Sequence, residues 1–174
     1  MVENLVSQRK ISSIVSPNGE WEVEFERQQD RFAHRILWRP GKTAAPWVLA
    51  SVEGADTDNW PPSPPLQQLS IEEQAGRPIA LLVGMAGKSH WSMSVEPTDQ
   101  GMLFDVACRQ GVETGKLGSS YLLTPPSTAD ERPPLCTAAD DPACTIHTVE
   151  NRLVITPPDA GKLARWKYLL QAPR

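Results

Sequence analysis

The chain has 174 residues, with 21 acidic against 17 basic side chains and a formal charge of −4, a length at which one domain (1–174) buries most of its apolar surface. Lys and Arg are scattered among Asp and Glu, so there is no basic face to neutralise a phosphate backbone, which argues against nucleic acid as a partner. The longest apolar run, Ile79 to Val83, is far too short to span a bilayer, and seventeen prolines argue against long helices.

The first ten residues, MVENLVSQRK, lack the charged start and apolar stretch of a secretory leader, which predicts a cytoplasmic protein. KISSIVS (10–16) is the first predicted strand. In EWEVEFER (20–27), Trp21, Val23 and Phe25 alternate with Glu22, Glu24 and Glu26, the pattern of a half-buried strand. RFAHRILW (31–38) follows after a short polar turn, and pairing Phe25 with Phe32, Trp21 with Ile36, Glu26 with Arg31 and Glu22 with Arg35 satisfies both faces. His34 interrupts the apolar face of that second strand, where an imidazole is expected to be satisfied by a backbone group. PWVLASVE (46–53) is the next predicted strand.

TDNWPPSPP (57–65) carries Trp60 and is predicted to be a stiff surface connection. Four other tryptophans, Trp21, Trp38, Trp91 and Trp166, fall in phase with apolar neighbours and belong to the core. Trp60 is out of phase, and an indole on such a loop suits contact with a protein partner or a sugar. LQQLSIEEQAG has Ser70 and Glu73 at capping-box spacing and Gly76 beyond, which predicts one short helix near 66–75.

PIALLVG (78–84) is a predicted strand and leads into GKS, the ending of a phosphate-binding loop. That motif requires a glycine at position 82, where Leu82 stands, and a helix after it, where Trp91, Met93 and Val95 alternate with His90, Ser92 and Ser94. A turn between two strands, SHWSMSVE (89–96) and the one before it, is the predicted structure. MLFDVACR (102–109) continues the alternation, and an odd-sum register with Val95 near Met102 or Phe104 buries Trp91, Met93, Val95, Phe104, Val106 and Cys108 together. The opposite face then gathers His90, Ser92, Ser94, Glu96, Asp105 and Arg109.

Strands are further predicted at SYLLT (120–124), NRLVITP (151–157) and RWKYLLQA (165–172), with a second Pro-rich surface loop at 124–145. Cys136, Cys144 and His147 have the spacing C-x7-C-x2-H, wider than usual for zinc, so no metal and no cofactor is predicted; a disulfide between Cys136 and Cys144 is expected only in an exported chain. About ten short strands without alternating helices predict an all-β, mainly antiparallel β-sandwich or curled double sheet, with a closed β-barrel as the alternative.

The 89–109 hairpin face sets the functional expectation: a binding or interaction domain holding a small polar or sugar-like ligand through His90, Ser92, Ser94, Asp105 and Arg109, with Trp60 as a further contact. One alternative is a small hydrolase or isomerase in which Ser92 or Ser94 attacks, His90 takes the proton and Asp105 orients the imidazole. Another is a structural protein that associates into a homo-oligomer through exposed strand edges.

Overall fold

Side chains on an extended strand point to opposite faces by turns, so a segment with apolar residues at every second position buries one face. In the computed structural model, which describes residues 10–41, 45–127, 132–140, 143–158 and 161–173, the chain forms thirteen strands, most of which bury one face in this way. They are β1 (Ile11–Val15), β2 (Trp21–Gln28), β3 (Arg31–Trp38), β4 (Trp47–Ser51), β5 (Gln68–Gln74), β6 (Arg77–Ala86), β7 (Ser89–Pro97), β8 (Gly101–Arg109), β9 (Ser119–Thr124), β10 (Leu135–Ala138), β11 (Thr145–Val149), β12 (Arg152–Thr156) and β13 (Leu163–Gln171). One sheet has the order β1-β2-β3-β4-β9-β12-β11 and the other β10-β13-β8-β7-β6-β5. Every pairing is antiparallel. The two sheets keep separate edges, so the protein is a β-sandwich and the barrel alternative is set aside.

The core lies between the sheets. Trp21, Trp38, Trp91 and Trp166 all belong to it, together with Phe25, Phe104, Tyr121 and Tyr168. The Phe104 and Tyr168 rings stack with centroids 5.0 Å apart. Tyr121 and Tyr168 share a hydrogen bond of 2.6 Å, and His34 Nε2 lies 3.0 Å from the Tyr121 hydroxyl. Trp166 Nε1 donates to Ser119 Oγ at 3.0 Å. Since Tyr121 and Ser119 stand on β9 and Tyr168 and Trp166 on β13, these bonds tie one sheet to the other. A buried polar chain of this kind favours one alignment of the sheets over its neighbours.

Four expectations are corrected. The segment predicted as a helix near 66–75 is strand β5, paired with β6 from Gln68↔Val83 to Gln74↔Arg77. Ala75 and Gly76 both have positive φ, 51° and 76°, as a two-residue hairpin turn of type I′ demands, so the glycine that would end a helix instead reverses a strand. The β2–β3 register is shifted by two: Trp21 faces Trp38, Glu24 faces Arg35 and Phe25 faces His34. Gln29 takes φ 56° in a turn one residue shorter than expected; a shift of two leaves every side chain on its predicted face. Trp21 and Trp38 gain a stacked contact at 5.8 Å.

The 57–65 segment is not simply a surface loop. Pro61, Ser63, Pro64 and Pro65 are buried, because this stretch carries the chain across from β4 in one sheet to β5 in the other. Ser63 takes a hydrogen bond from the Ser120 amide at 3.1 Å and donates to the Ser120 carbonyl at 3.0 Å. Within 124–145 lies the unpredicted β10, which pairs with β13 along the sheet edge; positions 128–131, 141 and 142 of that loop fall outside the described residues. β11 was also unforeseen.

Candidate functional site

The GKS letters occupy a hairpin. Ala86 faces Ser89 across Gly87 and Lys88, Gly87 has φ 55°, and Ser89 begins β7. With β7 extended, Trp91, Met93 and Val95 point into the core while His90, Ser92 and Ser94 point out. The register Val95↔Phe104 buries Phe104, Val106 and Cys108, as the odd-sum pairing requires, and places Arg109 opposite His90, Ala107 opposite Ser92 and Asp105 opposite Ser94.

Two flanking strands complete this outer face. β6 sets Met85 beside His90, Val83 beside Ser92 and Leu81 beside Ser94, all three apolar side chains being exposed. β13 sets Leu163 beside Arg109, Arg165 beside Ala107 and Lys167 beside Asp105. The small Ser92 and Ala107 therefore lie between longer residues on either side, and the face sinks into a trough. Its head, about 440 Å³, is lined by Gln67, Val83, Met85, His90, Arg109 and Leu163 among others. Gln67 fixes the rim, accepting from the Met85 amide at 2.9 Å and donating to the Met85 carbonyl at 2.8 Å. The trough continues along Leu81, Ser94, Asp105 and Arg165.

The electrostatics of the two ends differ. Asp105 accepts from Arg165 Nε at 2.8 Å and contacts Arg165 Nη2 as well, with Lys167 Nζ 3.9 Å away. The Arg165 hydrogen bonds hold its carboxyl below the usual carboxylate range, against the opposing effect of burial. The side chains of Arg109 and His90 at the head form no hydrogen bond or ion pair among the described residues. The head of the trough thus offers a guanidinium without a counter-ion beside an apolar ridge.

All five hairpin residues expected at the site share this face, but not one constellation. His90 stands opposite Arg109 and Ser94 opposite Asp105; the four residue steps from Asp105 to Arg109 set them about 13 Å apart along the strand. With Asp105 already engaged by Arg165, the Ser-His-Asp arrangement is not assembled. Sequence reasoning missed Gln67, Met85, Val83, Leu163 and Arg165. The alternation in RWKYLLQA was the available signal for Arg165, whereas β6 reads as an unbroken apolar run and concealed its exposed column.

Trp60 is half-buried, its ring 6.2 Å from that of Trp91 at 60°. It lies away from the trough and lines two other concavities. Cys108, Cys136 and Cys144 are free thiols, and among the described residues no three His, Cys, Asp or Glu side chains converge as a metal site would require. His147 projects from β11 opposite Val154.

Because His90 is exposed and unpartnered, His90→Ala should shift the melting temperature by no more than about 1 °C, the behaviour of a surface position outside the core. A differential scanning measurement checks this. A large loss would mean that His90 supports the fold.

No family model matches the chain, and neither a curated protein nor a solved structure was found to be similar to it.

Proposed function

We propose that the chain is a binding module whose ligand lies in the trough on the outer face of the six-stranded sheet, and that it acts by holding this ligand and not by turning it over. The observation that supports this reading is the unpaired Arg109 at the head of a trough walled by Met85, Val83 and Leu163. A guanidinium fork binds a carboxylate bidentately, and the exposed ridge shelters an alkyl body. The ligand class is therefore a small anion with an apolar chain, a narrower choice than the polar or sugar-like ligand the sequence suggested. Ser92 and Ser94 supply hydroxyls along the floor, and His90 a second donor at the head. The hydrolase or isomerase alternative lacks an assembled acid–base pair.

Calorimetric titration with decanoate tests the reading. Arg109→Ala should weaken binding about tenfold, the loss of one charge-assisted contact at a partly wet site. Val83→Ser should weaken decanoate while leaving acetate unaffected. Equal affinity in wild type and Arg109→Ala, or no saturable binding at all, would overturn it.

A further inference from the structure

On the other side of the sandwich, the seven-stranded sheet turns Ser120, Val154 and His147 outward in one cross-strand row and Arg152 and Val149 in the next. Residues 60–62 and 116–118 wall this patch and leave a concavity of about 420 Å³. Its titratable lining consists of Lys116, His147 and Arg152, and no Asp or Glu lines it, although the chain as a whole carries −4. Arg152 is half-buried and makes no ion pair among the described residues. Its Nε is shut off from solvent with no hydrogen-bond partner.

The remaining lining is apolar and stiff: Trp60, Pro61, Pro62, Val149 and Val154. Trp60 is held in place, since a Cβ on Gly115 would fall 2.2 Å from its ring atoms, so the indole rests directly against the Gly115 backbone. Walls that are ordered before binding lose little entropy when a ligand arrives. An indole and two pyrrolidine rings suit a flat body more than a flexible chain.

We propose that this concavity is a second binding site, for a small ring-bearing anion of the aryl phosphate class whose charged group lies between Lys116 and Arg152 while its ring lies against Trp60. The site is independent of the trough, which it faces from across the core. Lys116 and Arg152 neutralise the anion and Thr156 adds a hydroxyl at the rim.

The test is calorimetric titration of the full chain with 1-naphthyl phosphate and, separately, inorganic phosphate. Saturable one-site binding of the naphthyl ester is expected, at least tenfold weaker in Lys116→Gln and in Arg152→Gln and unchanged in Arg109→Gln. Inorganic phosphate should bind more weakly than the ester, and Trp60→Leu should narrow that gap. Lys116 is exposed, so its variant keeps the test informative should Arg152→Gln fold poorly. Absence of saturation by about 5 mM, at the edge of measurable affinity, would overturn the proposal. So would undiminished binding in Lys116→Gln, loss in Arg109→Gln, or equal affinity for inorganic phosphate.

Discussion

Gly84→Ala should cost about 3 kcal/mol of stability, the upper range for forcing extra volume into a packed interior. Gly84 is buried in β6, where the crossing segment runs directly over it: a Cβ there would lie 1.8 Å from the Pro65 carbonyl oxygen and 2.9 Å from the Leu66 Cα. Both obstacles are backbone, and that backbone is pinned. The Phe32 amide donates to the Leu66 carbonyl at 2.7 Å, the Gln67 amide donates to the Val83 carbonyl at 2.9 Å, and Leu66 is fully buried. Relief requires moving the whole crossing. For a chain of this size the expected fall in melting temperature is about 10 °C. Gly76→Ala is the control, having φ 76° but open space around it; it should lose only about 1 kcal/mol, the conformational term alone. Urea denaturation of both variants checks the difference. If the two lose the same amount, steric contact at Gly84 is not the cause.

Lowering the pH from 7.5 to 4 should remove about 3 kcal/mol of the stability that His34 contributes, 2.5 pKa units at 1.36 kcal/mol each before rounding. His34 is buried between Phe25, Phe104 and Tyr121, and burial pushes its pKa down from 6.5 to about 4. The unfolded chain takes up a proton on His34 as the pH drops below about 6.5, whereas the folded chain does so only near 4. The contribution is therefore whole above pH 6.5 and is lost as the pH falls through the folded pKa. Tyr121 and Tyr168, the hydroxyls nearest in this network, are pushed upward by burial and stay neutral throughout. Glu53 is also raised by burial and acts in the opposite sense, favouring the folded state as the pH falls. His34→Phe keeps a ring in the core and removes the titrating group. The stability difference between wild type and variant should change by about 3 kcal/mol between pH 7.5 and 4, with the Glu53 effect common to both chains. A constant difference would show that His34 is protonated in the folded protein.

Much of the candidate site could be read from the letters because β7 and β8 are joined by a short turn and each shows one apolar face. Period-two patterning then leaves few registers, and Trp91, Met93 and Val95 against Phe104, Val106 and Cys108 select among them. Two properties of the site were not local. The neutralisation of Asp105 by Arg165 joins residues 60 positions apart, and the apolar wall comes from β6 because no described residue covers its exposed Leu81, Val83 and Met85. His34 was placed correctly on an apolar face, yet its partner is the Tyr121 hydroxyl, 87 positions away, and not a nearby backbone group.

What the amino-acid sequence determined alone was ten of the thirteen strands, most plainly the alternating β2, β3, β7 and β8, and with them the all-β class, the buried tryptophans and the failure of GKS as a phosphate loop. Alternation is a property of each strand's own backbone, so it survives in the linear order of residues. Tertiary structure alone decided that 68–74 pairs as a strand, that β10 and β11 exist, and that Pro61, Ser63, Pro64 and Pro65 of the proline segment are buried where the chain crosses from one sheet to the other. Each of these is short or poor in apolar residues, and takes its form from a neighbour: β6 for β5, β13 for β10, β12 for β11, Gly84 and Ser120 for the crossing. Ladder hydrogen bonds to such a neighbour outweigh a weak local preference, and no window of the sequence contains both partners.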